Sequence, residues 1–173
     1  MDRASYPVTP AVRVLREKKI AFEPHLYAYK LHGGTRHSAE ELEVDEHAVI
    51  KTLVMETDSS EPLIVLMHGD CEVSTKALAR TLGVKTVSPC DPGIAQKHTG
   101  YQVGGTSPFG TRKQLTVYAE KTIFDLATIY INGGKRGFLV AIHPNDLRRA
   151  LTVSEVNVGI GVITESSTEQ ASR

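Results

Sequence analysis

Three short stretches carry the residue types with which a protein can hold a polar ligand. Gly104-Gly105-Thr106-Ser107-Pro108-Phe109-Gly110 places three glycines and a proline within seven residues. Such a run specifies an irregular, fairly rigid backbone. Glycine lets N–H and C=O groups come close to a ligand, and Thr106 and Ser107 add hydroxyls. Asn132-Gly133-Gly134-Lys135-Arg136-Gly137 interleaves three glycines with two adjacent cations, a combination able to offer backbone N–H groups and positive charge to a phosphate or carboxylate. Lys51-Thr52 stands at the head of an apolar strand, where a lysine can be an anion anchor or a donor in a cleft. Each stretch has a plain structural alternative: a connecting loop, a solvated hairpin turn, or a lysine snorkelling from a strand edge. Composition alone leaves these alternatives open.

Other chemistries find less support. The seven histidines, His25, His32, His37, His47, His68, His98 and His143, form no HxxxH or HxH and no partnership with a nearby cysteine, so all seven are taken as loop or surface residues and no metal site is expected. Cys71 and Cys90 form no CxxC. They are read as reduced thiols of a cytosolic protein, with no activating partner that would make either a nucleophile. Ser107 lies in no GxSxG elbow, so a hydrolase triad is unsupported. The absence of GxGxxG and GxxxxGK[ST] removes the main support for Rossmann and Walker phosphate sites.

Composition narrows the class further. Lys plus Arg equals Asp plus Glu at 20 each in 173 residues, giving a net charge of zero, which argues against a generally nucleic-acid-binding basic protein and against a DNA partner. Positive charge for an anionic partner would have to be clustered, with Lys97, Arg112, Lys113, Lys135 and Arg136 as its candidates. Trp is absent and aromatics are 6%, which disfavours a broad stacking platform. The N-terminus lacks the apolar core of a signal peptide. No stretch approaches the roughly 18 apolar residues of a membrane span. A cytoplasmic protein is expected, folded as one domain over 1–163, with a Ser/Thr/Glu-rich tail at 164–173 expected to be disordered.

The elements that would position these stretches follow from local signals. Thr9-Pro10 opens a helix to about Lys19, with Ala11, Val12 and Leu15 inward. Ala21–Tyr29 is extended, and Pro24 makes it an edge strand. Ser38 with Glu41 forms a capping box, predicting a short helix from Ser38. Strands are expected at about Lys51–Glu56 and Pro62–Met67, joined by a polar hairpin turn. Ser74 caps a helix over Thr75–Leu82 that stops at Gly83, with Cys71 in the turn before it. A short strand at Val84–Val87 follows, then a helix opened by Asp91-Pro92. Further strands are expected at Gln114–Tyr118, Thr128–Ile131 and Gly137–Ile142, with Asn132–Lys135 as a hairpin turn between the last two, and a last helix runs to about Leu151. Helices scattered among hairpin-paired strands indicate a mixed α/β fold, not the regular alternation of a doubly wound sheet.

Taken together, TPAVRVL at the N-terminus, IKTLV at Ile50–Val54, LARTLGVKTV at Leu78–Val87, TGYQVGGTSPFG at Thr99–Gly110 and IYINGGKRG at Ile129–Gly137 resemble the YbaK family, bacterial Cys-tRNA(Pro) deacylases related to the editing domain of many prolyl-tRNA synthetases. The resemblance runs from Thr9 to about Leu151. Its specificity lies in the pairing of GGxSPxG with GGKRG.

The resemblance implies a curved, partly closed mixed β-sheet of about seven strands surrounded by helices. It implies hydrolysis of mischarged Cys-tRNA(Pro) in trans, without metal or cofactor, by a substrate-assisted route in which the cysteine thiol attacks its own ester. Such a cyclising route would also suit classification as a lyase. The partner would be the 3′ end of tRNA(Pro), with prolyl-tRNA synthetase as a further one. Alternatives are an Ala-tRNA(Pro) deacylase of the same fold, or a non-catalytic aminoacyl-tRNA- or nucleotide-binding module. Carried over residue by residue, Lys51 and Gly104 take the catalytic positions. Tyr27, Thr52, Gly105, Thr106, Ser107, Asn132, Gly134, Lys135 and Arg136 take substrate-binding ones. Asn132 stands where relatives commonly carry Ser, Gly34 where they carry an aromatic, and Thr106 where an aliphatic residue is common.

Overall fold

The structure, a computed structural model, describes residues 5–161. Thr9 accepts a hydrogen bond from Val12 N–H at 3.1 Å and starts α1 (Pro10–Glu17), whose Ala11, Val12 and Leu15 are fully buried. Then come β1 (Glu23–Leu26), α2 (Gly34–Leu42), a 3-10 turn (Glu46–Ala48), β2 (Val49–Thr57), β3 (Pro62–His68) and β4 (Cys71–Val73). Ser74 caps α3 (Thr75–Leu82), which ends on Gly83 at φ 71°. After β5 (Val87–Pro89), the Asp91 carboxylate accepts from Gly93 N–H and opens α4 (Pro92–Thr99). The chain continues through β6 (Thr116–Glu120), β7 (Ile129–Lys135), β8 (Phe138–Ile142), α5 (Asp146–Ala150), β9 (Val153–Val156) and β10 (Gly159–Gly161).

The main sheet runs β1-β8-β7-β2-β3-β6-β9, with β5 also on β2, while β4 and β10 form a separate two-stranded ribbon. β2 is parallel to β7, β3 to β6, and β6 to β9; the other pairings are antiparallel. This is the mixed α/β sheet with flanking helices that the resemblance implies. β1 and β9, the two ends of its path, do not pair with each other among the described residues. Alternation along β2 sends Ile50 and Val54 to the larger core, with α1, Phe109 and Phe138, and Leu53 and Met55 to a smaller core with α3.

Among the described residues the main sheet has eight strands, in line with the about seven that the resemblance implies, while β4 and β10 form an extra ribbon held by distant partners rather than by a local pattern. Several local expectations are corrected. Cys71 lies in β4 and not in a turn. The second helix begins four residues before Ser38. Ser38 is inside it, 2% exposed, and its hydroxyl donates to Thr35 O at 3.1 Å. Burying Ala39 against Val49 and Leu139 outweighs the capping signal. Asn132–Lys135 is not a turn but the end of β7, and the turn is Arg136-Gly137, with Gly137 at φ 78°. The glycines serve a bulge and a close approach instead, since a Cβ on Gly133 would lie 2.4 Å from the Phe138 ring. His68 is not a surface residue: it ends β3 at 1% exposure. The strand near Val84 starts only at Val87. The expected tail, 164–173, lies outside the described residues.

Gly133→Ala should overpack the fully buried Phe138 and destabilise the fold by about 1–3 kcal/mol. Urea unfolding with an unchanged midpoint would contradict this packing.

Candidate functional site

β2 changes partners along one edge. β7 pairs with it only at Val49 and Ile50, and β5 only from Met55 to Thr57. Between them, Lys51 to Val54 has no strand partner on that side among the described residues. The gap closes at its far end, where Cys90 N–H donates to Val54 O at 3.0 Å. Backbone groups along a strand alternate between edges. Thr57 N–H points to the β3 side, donating to Glu61 O, and Val54 C=O points to the gap. The N–H and C=O of Thr52 therefore face the gap too.

A cleft of about 510 Å³ opens over this edge, within the size range of small-ligand sites. Its floor is β2. Tyr27, Tyr29 and α2 form one wall, Val103, Gly104 and Thr106 another, and Cys90, Pro92 and Ala95 a third. The Thr52 Oγ1 is buried and has no hydrogen-bond partner among the described residues. A buried hydroxyl is ordinarily satisfied, so this one lacks a partner its burial calls for. Lys51 is half-buried, and its Nζ donates to the carbonyl of Cys71.

The glycine loop is fixed against β7 and the β7–β8 turn. Asn132 Nδ2 donates to Gly104 O at 3.2 Å, while its Oδ1 accepts from Gly134 N–H at 2.7 Å and Lys135 N–H at 3.1 Å. Arg136 Nε donates to Val103 O at 2.7 Å, and its guanidinium lies 5.0 Å from the centre of the Tyr29 ring. Gly104 has φ 87°, and a Cβ there would meet the Tyr29 hydroxyl at 2.7 Å. A residue larger than glycine would push this wall away from the cleft.

Of the residues singled out by sequence, the structure brings Lys51, Gly104, Tyr27, Thr52, Thr106, Asn132 and Arg136 to the cleft. Gly105, Ser107, Gly134 and Lys135 are not in its lining. Gly105 packs on the backbone of Lys135 and Arg136. Ser107 is fully buried and accepts from Phe109 N–H at 3.2 Å, so its hydroxyl organises the loop. Of the candidate basic cluster, Arg136 lines the cleft. Arg112 and Lys113 donate their backbone N–H groups to Thr99 and His98 at the end of α4, the helix that carries Lys97. Sequence reasoning missed Tyr29, His37 and Cys90, all of which line the cleft; the Tyr27-x-Tyr29 alternation was the usable signal for the first. Gly34 lines the cleft with open space where a side chain would stand.

Behind Lys51 lies a hydrogen-bonded set that sequence spacing did not indicate. The rings of His47 and His68 stack at 3.7 Å. His47 Nδ1 donates to Asp70 at 2.7 Å, and His68 contacts His47 O and the Thr122 hydroxyl, both at 2.7 Å. A carbonyl can only accept, so His68 Nδ1 carries a proton, and neutral Nε2 accepts from Thr122. Burial holds the His68 pKa below its ordinary value, against the hydrogen bond to the His47 carbonyl, which raises it. Asp70 is partly buried, yet the His47 bond keeps it below the usual carboxylate range. His47, Asp70 and Cys71 bring possible metal-ligand atoms within 4.8 Å. Their donors are engaged, however: Asp70 with His47, and Cys71 as a thiol pushed up to about 11 by burial and by Asp70. Cys90, also pushed up to about 11 by burial and Glu56, is likewise a neutral thiol near pH 7. Neither supplies an activated nucleophile.

A family model described as an aminoacyl-tRNA editing domain matches residues 34–150. A protein of Enterococcus faecalis named "Putative Cys-tRNA(Pro)/Cys-tRNA(Cys) deacylase EbsC" is 28% identical over 137 residues, 79% of this chain and 84% of that one. A proline–tRNA ligase of Brachyspira hyodysenteriae is 29% identical over 86 residues, 50% of this chain but 15% of the ligase. Among solved structures, a "putative trans-editing enzyme for prolyl tRNA synthetase" superimposes with a TM-score of 0.76 at 17% identity, covering 90% of this chain and all of that one. A hypothetical protein superimposes with a TM-score of 0.80 at 18% identity, covering 88% of this chain and all of its own.

The His68 environment has a pH consequence. Its folded pKa lies below the unfolded value of about 6.5, so the unfolded chain binds more protons as pH falls through that value. The stability that neutral His68 contributes is complete above pH ~7 and declines as pH drops towards the folded pKa. The urea midpoint should therefore fall between pH 7.5 and 5.5, and the fall should be smaller in His68→Asn. Identical pH slopes for the two proteins would contradict this assignment.

Proposed function

Since the chain belongs to the aminoacyl-tRNA editing domain family, we propose that it acts in trans on Cys-tRNA(Pro), releasing cysteine from the tRNA 3′ end by a metal-free, substrate-assisted route. The observation that carries this reading is the open edge of β2. Lys51 and Thr52, whose hydroxyl is unpartnered among the described residues, line one cleft with the glycine loop there, while both protein thiols stay protonated. A site rich in positioning groups but lacking a nucleophile of its own suits a substrate that carries one.

In this reaction the cysteine sulfur attacks its own ester carbonyl. The C–S bond forms, the C–O bond to the terminal ribose breaks, and the thiol proton ends on the departing tRNA hydroxyl. The resulting thiolactone is opened by water to free cysteine. Lys51 holds the ribose–phosphate end. The Thr52 backbone and hydroxyl fix the ester, and Gly104 approaches the aminoacyl group, which Tyr27, Thr106 and Asn132 enclose with Arg136 on the rim. Gly105, Ser107, Gly134 and Lys135 serve the same wall from behind. Holding thiol and carbonyl in attacking geometry is the protein's main contribution. Such an editor answers a need that binding cannot meet, because cysteine and proline differ too little in size for a synthetase pocket to separate them fully. Prolyl-tRNA synthetase is the natural source of the substrate. Among the described residues no helix is long and apolar enough to cross a membrane.

Lys51→Ala should fold and lose about 10- to 150-fold in deacylation rate, the worth of one charge-assisted hydrogen bond. A folded variant with the wild-type rate would remove Lys51 from the site. The route itself is tested by initial rates on Cys-, Ser- and Ala-esters of one tRNA(Pro) transcript in EDTA. Cysteine should be released far faster, because a thiol of pKa about 8.5 ionises much more readily than a hydroxyl. Comparable rates for all three would replace the thiol route with an activated-water mechanism and a broader, alanine-type editor. Binding without release of any amino acid would favour a non-catalytic module.

A further inference from the structure

Lys51 takes its position from a carbonyl on β4, a three-residue strand outside the main sheet. Three residues make a weak strand, and among the described residues β4 pairs in register only with β10, Cys71 lying opposite Gly161. Ser74 N–H also donates to Val158 O at 2.8 Å, so the start of α3 is tied to the same segment. This C-terminal strap lies beyond residue 150, where the family match stops.

Glu120 holds the strap in place. It is 3% exposed at the end of β6, and its carboxylate accepts from Val158 N–H at 2.9 Å and from Gly159 N–H. Among the described residues it forms no salt bridge, so these two N–H groups are the compensation seen for burying its carboxyl group. The contact lies on the Lys51 side of the sheet. A Cβ on Gly159 would fall 2.2 Å from Glu120 Oε2 and 3.1 Å from Met67 Sδ, and Met67 is the residue paired with Lys51 across the β2–β3 ladder. We propose that Glu120, acting through β10 and β4, is a positioning residue for Lys51. Its carboxylate seats the strap, the strap seats β4, and the Cys71 carbonyl then aims the ammonium into the cleft. Its effect on rate rests on the deacylase reading above; its effect on the lysine does not.

Glu120→Gln keeps one acceptor and turns an NH2 group towards the second N–H. With the Lys51 side chain intact it should lower the deacylation rate about tenfold, the worth of roughly one charged hydrogen bond. In a Lys51→Ala background it should change the rate less than about twofold, because nothing remains to be positioned. Equal losses in both backgrounds, or no loss in either, would overturn the proposal and leave Glu120 a merely structural residue. If Glu120→Gln does not fold, Gly159→Ala, which presses on the same carboxylate, goes through the same cycle with the same two outcomes. A second readout needs no activity: limiting acetic anhydride should acetylate Lys51 faster in the variant than in the wild type, relative to exposed Lys76 and Lys85. If the wild-type protein deacylates no aminoacyl-tRNA, the deacylase reading fails and the acetylation ratio alone decides. A raised ratio supports the strap, and an unchanged one refutes it.

Discussion

The site depends on one unfinished ladder. A central strand ordinarily meets its backbone hydrogen bonds on both edges. β2 does so on the β3 side, through seven consecutive pairs from Ile50 to Glu56. On the other side it is shared by two strands that stop short of each other. The remaining stretch, Lys51 to Val54, is rigid because it is half of a full ladder and open because the other half is missing. Main-chain donors and acceptors held in this way need no reorganisation to meet a ligand.

The walls are built to the same end. The glycine loop follows no regular element, yet its carbonyls at Val103 and Gly104 are bound by Arg136 and Asn132, side chains at the end of β7 and in the following turn. Asn132 also accepts from two backbone N–H groups of its own bulge, so a single side chain joins loop and strand. Glycine is required where chains come closest, at Gly104 against Tyr29 and at Gly105 against the Lys135–Arg136 backbone. Behind the floor, Glu120, β10 and β4 brace the lysine from the opposite side.

Much of this frame was legible in the sequence because its signals are local. Thr9, Ser74 and Asp91 each cap a helix by bonding an N–H two or three residues on, and the β2–β3 hairpin follows from two apolar runs around a polar turn. Lys51, Thr52, Gly104 and Asn132 could be singled out by residue type and by resemblance. What was not legible is long-range. Where β7 ends and β5 begins is a matter of register, so the open edge of β2 left no local trace. β4, β9 and β10 are stabilised by partners far away in the chain, and the burial of His68 and Glu120 follows from that packing. Ser107 had the composition of a ligand-binding hydroxyl, but Phe109 N–H uses it. The GGKR run resembled a turn because glycine serves bulges and close contacts as readily as turns.

In the proposed reaction the aminoacyl end docks on the open edge of β2. A crystal structure with a non-hydrolysable 3′-cysteinylamino-adenosine tests it most directly. The analogue's amide should bond to the Thr52 backbone and hydroxyl, with Lys51 at its ribose and Gly104 within van der Waals reach of the cysteine. An analogue bound elsewhere, with Thr52 untouched and the β2 edge still bare, would contradict it.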